Sequence, residues 1–580
     1  MARKPTDGRV LLVKPGILKS TMMFWISTRW GGLVALAVAG AALLLFNRVE
    51  VLSGFQAVLG DAGDGRFNLA VLEHWYRVTL GAEAAASPGY YFPVPGVLGY
   101  SDGLVLLAPV YVAGRWAGLG VVPALAGTVM VASAVGFAGM VVFLRRLLGL
   151  AWPAVLAGAG AFATGTALYQ SLSVGHVQMM VVEALPWLVC LVWRYARSGG
   201  GGVAAGAALL LAAILLSSFY VGWFLAIYLL VLAALGLIMA LSLAGFTRTV
   251  AAARLWLVGR RRSLPAMVLV LGLGLVPFLM IYGPVAHDHS EGRPWSEVVR
   301  TLPDASQLLE ARGNALWSPV IEALWPGLST RGGELGKGLS WALLLVFVIT
   351  LVRLARGPVA GLAPETRRLA LVLGAGVLVC WALMLQNHGW SLWTLVYQGV
   401  PGGRSVRSVF RFNLVLSFSV AAVAAIGLHC AWLWAGRATA AQSARVAVGL
   451  AAMVLIVEQV NVLSGTLSRS GDFADVEAMP PVPKACRVLV LLPSAPPPAY
   501  HRWSHQLGAV MVAQAWGVPV LNGYSGLAPD GWRLFDPTDR DGYRQAVVTW
   551  VDRYGLWQGL CGMDLELHRW FPVMRAGLLP

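Results

Sequence analysis

Apolar runs of about 20 residues, parted by short loops, recur along this 580-residue chain and constrain its fold more than any other feature. A run of that length crosses a bilayer as a helix, because in lipid every backbone N–H and C=O has to be satisfied within the segment. We read spans near 31–49, 121–144, 151–170, 177–195, 203–218, 220–243, 264–283, 338–353, 369–387, 411–435 and 446–463. Composition agrees: 58% of residues are hydrophobic and 12% charged, roughly half the charged share that a soluble surface carries. The first apolar stretch is span-length and lacks a small-residue cleavage site, so no cleavable signal peptide is expected.

A formal charge of +16 in a soluble chain would suggest nucleic acid. The positions of the charges exclude that partner. Basic residues gather in alternate loops: the first 30 residues, Arg145-Arg146, Arg194 with Arg197, 248–262, 353–368, and Arg437 with Arg445. These loops hold 21 of the 43 Lys and Arg with two acids, Asp7 and Glu365, a charge of +19 against −3 for the remainder. That is the positive-inside signature. It makes 1–30 a cytoplasmic basic N-terminus and 31–463 a transmembrane domain of about 11 helices. The outer loops are 50–120, 284–337 and 388–410, and the C-terminal region, 464–580, also lies outside.

In that last region apolar runs shorten while Pro, Asp, Arg and Trp rise. Residues 486–492 read as a buried strand closed by a Pro-rich loop (Ser494 to Pro498), and 541–557 read as a helix, together a small α/β domain. Cys190, Cys380 and Cys430 fall in spans as packing residues. Cys486 and Cys561 fall in the outer region, where a disulfide and two free thiols both stay open; two cysteines give no zinc spacing.

Function in membrane chains concentrates where polarity survives beside lipid. Residues 60–77 have helical period from Arg66, with Arg66, Glu73 and Arg77 on one face and Phe67, Val71, Trp75 and Val78 on the other, as in a helix lying flat on the outer leaflet. Asp64 precedes it as a cap or as an ionised functional acid, two compatible roles. Asp102 ends an aromatic, proline-rich stretch, 90–103, and 104–119 reads as a surface or re-entrant segment. His176 and Gln178 occupy the next outer turn, with Glu183 two helical turns on along the same face. Ser217 to Tyr220 mark a further turn. His287-Asp288-His289 read as solvated loop, since three adjacent residues do not face one ion in regular structure. Arg404, Arg407 and Arg411 run against the positive-inside trend and suit a phosphate, with snorkelling as the alternative. No Walker loop, dinucleotide fingerprint or HExxH motif is present.

The order of these features resembles the GT-C superfamily of bacterial membrane glycosyltransferases. The resemblance rests on Gly63-Asp64, Phe92-Pro93, Ser101-Asp102, Gly175-His176-Val177-Gln178, Ser217-Ser218-Phe219-Tyr220, Arg407 to Phe412, and Asn522-Gly523-Tyr524-Ser525-Gly526. The layout is also similar to that of oligosaccharyltransferase catalytic subunits and protein mannosyltransferases. It lacks the Trp-Trp-Asp signature of the former and the first-loop Asp-Glu pair of the latter.

The resemblance implies an all-α polytopic GT-C-like protein of the bacterial cytoplasmic membrane, with its α/β C-terminal domain in the periplasm. It implies inverting transfer from a polyprenyl-phosphate-linked sugar to an acceptor hydroxyl of a lipid, glycan or protein at the outer leaflet. Asp64 would be the general base, with Asp61 as its competitor. Arg407 and Arg411 would stabilise the leaving phosphate; Asp102, His176, Gln178, Glu183 and Tyr220 would position substrate. No cofactor or metal is needed by that logic, the lipid-linked donor being a substrate, although a divalent ion stays open. The alternative is a transporter or flippase of a lipid-linked or glycan substrate. Such a protein should show internal repeats with broken helices in matching positions; none is visible, and the outer loops are long.

Overall fold

The computed structural model describes residues 21–311, 313–326, 334–462, 465–494 and 502–575. Most of the basic N-terminus and the Pro-rich loop beyond Ser494 lie outside the described residues. Among the described residues, six helices are long and apolar enough to cross a membrane: Val121–Leu147, Val177–Ser198, Phe219–Ala244, Ser263–Asp288, Pro364–Met384 and Val409–Ala435. Four further apolar stretches form shorter helices, Gly32–Phe46, Gly201–Ser217, Trp341–Ala355 and Ala441–Val457.

The expected span at 151–170 is two helices, Trp152–Ala163 and Thr166–Ser173. Gly165 between them is extended (φ −62°, ψ 144°), and Gln459 Oε1 accepts the N–H of Thr166 at 3.3 Å. A helix not expected from the sequence, Phe246–Gly259, occupies the basic loop after the 219–244 helix, set off by Gly245 at φ +77°.

Phe412–Ala435 is the central helix. Its residues 412–426 are buried throughout by the 152–163, 341–355 and 364–384 helices. At the other extreme, Ser263–Asp288 buries only Ile281 and packs on Gly201–Ser217. An apolar helix left open on most of its circumference is stable facing lipid and unstable in water. The arginine clusters at 145–146, 194–197, 248–262, 353–368 and 437–445 stand at one set of helix ends. Residues 64, 176, 220 and 411 stand at the other.

The C-terminal segment carries a three-stranded sheet, with Val488–Leu491 parallel to Leu560–Asp564 and the latter antiparallel to Arg569–Pro572. Helices Arg502–Trp516 and Arg540–Tyr554 accompany it, so the strand and helix expected there are found. Cys486 and Cys561 are disulfide-bonded, which resolves the open choice. A second pairing, Ala57–Leu59 antiparallel to Thr466–Ser468, fastens the first long loop to this segment.

That attachment changes the environment of the first-loop helix, Asp64–Thr79. Residues 65–74 are all buried, so it does not lie on a leaflet surface with its polar face in water. The 502–516 helix covers the polar face instead. Arg66 Nη1 donates to Ser504 Oγ at 2.9 Å, Arg77 Nη1 to Gln514 O at 2.7 Å, and Gln514 Nε2 to Ala70 O at 2.9 Å. Glu73 accepts from Tyr111 Oη (2.7 Å) and Arg115 Nε (3.0 Å) of the short helix Ala108–Trp116, within the segment read as surface or re-entrant at 104–119. A sequence pattern marks a face as polar but does not say whether water or protein meets it.

The disulfide closes 75 residues, for which chain entropy gives about 4 kcal/mol. Replacing both cysteines by alanine is expected to destabilise the C-terminal segment by about 2–4 kcal/mol, read as faster limited proteolysis within 486–561 while the apolar helices stay protected.

Candidate active site

Two backbones meet before any side chain does. Gly175, at φ +80°, lies against Gly65, and a Cβ on Gly175 would overlap Gly65 N and Asp61 Oδ1. Asn68 fastens the contact, its Nδ2 donating to Asp64 O at 2.8 Å and to Gly175 O at 2.9 Å. The free first-turn N–H of Gly65 goes to Asp61 Oδ1 at 2.9 Å. Asp61 is therefore the capping acid of this helix, and the carboxylate of Asp64 is released from that duty.

Asp64 is held from two sides. His176 Nε2 lies 3.0 Å from Oδ2, and Tyr524 Oη donates to Oδ1 at 2.9 Å. Burial pushes the carboxyl up, but these hydrogen bonds and the field of Arg411 outweigh it and hold Asp64 below the usual 3.8. Its side chain is still 38% exposed, so a lone pair remains reachable.

Burial and Arg411 together push the His176 pKa below 6.5, so the ring is neutral at pH 7. Nε2 also lies 3.0 Å from Arg411 Nη2. One ring nitrogen cannot donate to Asp64 and accept from Arg411 together; the negative charge on Asp64 favours donation.

Arg411 opens the central helix and is nearly buried, its side chain 8% exposed. Glu334 answers its charge. Arg411 Nε donates to Glu334 Oε2 at 3.0 Å, and Nη2 bonds Oε1 in a two-pronged pair. Lys337 Nζ stands 3.6 Å from Glu334 Oε2, and His176 Nε2 stands 3.8 Å from Oε1. Burial would raise the Glu334 carboxyl; Arg411 and Lys337 overcome it and hold it well below 4.5. The guanidinium also covers the Tyr220 ring, 5.0 Å from its centroid.

The remaining expected residues divide around this centre. Asp102 accepts from Phe219 N at 2.8 Å and from Ser218 Oγ at 3.3 Å, capping the 219–244 helix. Burial pushes its pKa up to about 6 against the pull of those bonds and of Arg411. Tyr220 Oη accepts the N–H of Arg407 at 3.1 Å, while the Arg407 side chain turns to Glu297 at 3.4 Å. Among the described residues, no hydrogen bond or ion pair joins Arg407 to Asp64, His176 or Arg411. Arg404 packs over the Tyr397 ring, and His287 and Asp288 are solvated. Gln178 is half-buried, its Oε1 without a partner.

Glu183 does not share the face of His176. Residues 177–184 are a 3-10 helix, and at three residues per turn a separation of seven no longer aligns. Glu183 is buried against Gly136 of the 121–141 helix, with neither carboxylate oxygen hydrogen-bonded.

Three contributors were not assigned from the sequence. Tyr524 sits inside the Asn-Gly-Tyr-Ser-Gly motif, which was the available signal. Glu334 and Lys337 belong to the 284–337 loop, where no local pattern distinguishes an acid that folds back onto a buried arginine.

Comparison of the sequence with protein-family models and with curated proteins finds no match. In structure the chain is similar to the oligosaccharyltransferase of Archaeoglobus fulgidus in complex with zinc and sulfate (12% identity, TM-score 0.43, 84% of this chain and 62% of that one). It is similar to ArnT from Cupriavidus metallidurans bound to undecaprenyl phosphate (13%, 0.43, 86% and 86%). It is similar also to the arabinofuranosyltransferase AftD from Mycobacteria (15%, 0.46, 90% and 33%). The chain thus spans less than two thirds of the archaeal enzyme. Identity at these levels assigns no activity to this chain.

Gly175→Ala is expected to cost about 2–3 kcal/mol, because a side chain is strained at this φ and overlaps the neighbouring backbone. Thermal unfolding in detergent measures it; an unchanged melting temperature would mean that the two backbones do not meet.

Proposed function

We propose that the protein is an inverting glycosyltransferase of GT-C type, moving a sugar from a polyprenyl-phosphate-linked donor to an acceptor hydroxyl at the outer leaflet. The observation that carries this reading is an ionised, reachable carboxylate and a buried guanidinium that share one histidine nitrogen. Asp64 and Arg411 each lie 3.0 Å from His176 Nε2, so a base and an anion ligand stand on either side of one imidazole nitrogen. The position of both at the helix ends opposite the arginine clusters supports an outward-facing site. About 11 spans with an extracytoplasmic C-terminal domain suit that orientation.

In this reaction the acceptor oxygen attacks the anomeric carbon as the bond from that carbon to the phosphate oxygen breaks. The bonding pair leaves with the phosphate, and Arg411 stabilises the charge that develops there. The acceptor proton passes to Asp64. A carboxylate held below 3.8 is a weak base, which suits a transfer that occurs late, when the attacking hydroxyl has become acidic. Tyr524 and His176 aim the carboxylate. Asp102 acts indirectly, fixing the turn that carries Tyr220. Arg407, half-exposed beside Glu297, is suited to guiding the donor's phosphate in rather than to holding it during reaction. The acceptor's identity, whether lipid, glycan or protein, is a matter for the assay.

Asp64→Asn is expected to keep donor binding and lower turnover by about 10²–10⁴, measured as release of polyprenyl phosphate by purified protein from a panel of polyprenyl-phosphate sugars. Solute flux in liposomes without donor cleavage would favour the transporter instead.

The pH dependence has a definite sign. A carboxyl whose folded pKa lies below 3.8 adds stability above pH 3.8 and loses it as pH falls through the lower folded value. The acid limb of turnover due to Asp64 should therefore lie below pH 3.8, and Tyr524→Phe, which removes a donor to the ionised form, should move it upward. A limb unchanged in Tyr524→Phe would exclude Asp64 as the titrating base.

A further inference from the structure

If Arg411 is the ligand of the donor's phosphate, as the function above requires, its seat is already taken. Glu334 binds the guanidinium with both carboxylate oxygens, one through Nε at 3.0 Å and one through Nη2. That is the fork geometry in which arginine also receives phosphate. Exposure orders the cluster. Lys337 has a side-chain exposure of 0%, Arg411 of 8%, and Glu334 of 23%. The carboxylate is the most exposed of the three and is paired with both cations.

The charges say what an incoming phosphate must do. Arg411 and Lys337 are the cations beside Glu334, with Asp64 and Asp102 adding negative field at Arg411 and His176 neutral. A sugar phosphodiester arriving with Glu334 in place would add a further anion beside Glu334 and Asp64 in a poorly solvated site. An anion of the same shape that takes the place of the carboxylate restores the balance.

We propose that Glu334 is a built-in stand-in for the donor's phosphate, pairing with Arg411 and Lys337 until the polyprenyl-linked phosphate displaces it on binding. The exchange couples seating of the donor to movement of the 334–337 segment. It also supplies release: once the sugar has left, the returning carboxylate competes with the product phosphate for the same two cations. Glu334 is a positioning residue in this scheme, acting through Arg411 and not on the reacting atoms.

The test titrates undecaprenyl phosphate, and separately inorganic phosphate, into full-length protein in detergent, comparing wild type, Glu334→Gln and Arg411→Gln. Removing the competing charge should tighten undecaprenyl phosphate binding in Glu334→Gln by about tenfold or more, and the ligand should raise its melting temperature more than that of wild type. Product release should slow. Glu334→Asp shortens the reach while keeping the charge and serves where the amide variant does not fold; it should show a smaller gain in the same direction. Arg411→Gln should abolish binding. Unchanged or weaker binding in Glu334→Gln, with wild type binding normally, overturns the stand-in and leaves the glycosyltransferase reading intact. A gain confined to inorganic phosphate overturns the lipid-linked identity of the anion. Failure of wild type and all variants to bind either ligand removes the reading of Arg411 on which the proposal rests.

Discussion

A guanidinium enclosed by apolar helices has to be met by anions and hydrogen-bond acceptors, and the arrangement at the head of the central helix follows from that requirement at Arg411. Its charge is satisfied by Glu334 from the 284–337 loop, by the ring face of Tyr220, and by the neighbourhood of Asp64. Breaking such a buried pair from one side leaves an uncompensated charge, worth about 3–5 kcal/mol. The cluster therefore acts on the fold as well as on chemistry: it draws residues far apart in sequence to one set of helix ends. Stability and chemistry are coupled at this point, and substitutions here need a binding readout beside any rate.

The C-terminal segment is part of the same device. Tyr524 reaches Asp64 directly, the 502–516 helix buries the helix that begins at Asp64, and a strand pair ties 57–59 to 466–468. A carboxylate on a mobile loop would sample many orientations. Here it is fixed by a glycine-to-glycine backbone contact below it and a tyrosine from the tail above it. The tail thereby contributes, with His176 and Arg411, to both the orientation and the ionisation of Asp64.

The apolar runs and the gathering of the arginine clusters at one set of helix ends were legible because bilayer length and charge asymmetry leave direct marks on sequence. So were the strand near 488 and the helix near 541, which follow local pattern. Asp64, His176, Tyr220 and Arg411, singled out from motif order, stand together, and Asp102 caps the turn that carries Tyr220. Other features depend on tertiary choices that no local window records. Arg407 faces Glu297 because folding brings that acid of the 284–337 loop beside it. Glu183 leaves the face of His176 because 177–184 winds as a 3-10 helix. Glu334 has no sequence signal at all; only the folded loop sets it on Arg411. The capping bond went to Asp61 rather than to Asp64, a distinction of three residues that the Gly-Asp-Ala-Gly-Asp-Gly stretch leaves ambiguous.

The most direct test of the central claim is a structure of the full-length protein in lipid nanodiscs with undecaprenyl phosphate bound. The predicted result is a phosphate at hydrogen-bond distance, roughly 2.7–2.9 Å, from the Arg411 guanidinium, with Glu334 withdrawn and Asp64 and His176 alongside. A phosphate seated elsewhere while Arg411 keeps Glu334, or a continuous solute path through the spans in place of a closed lipid site, would contradict it.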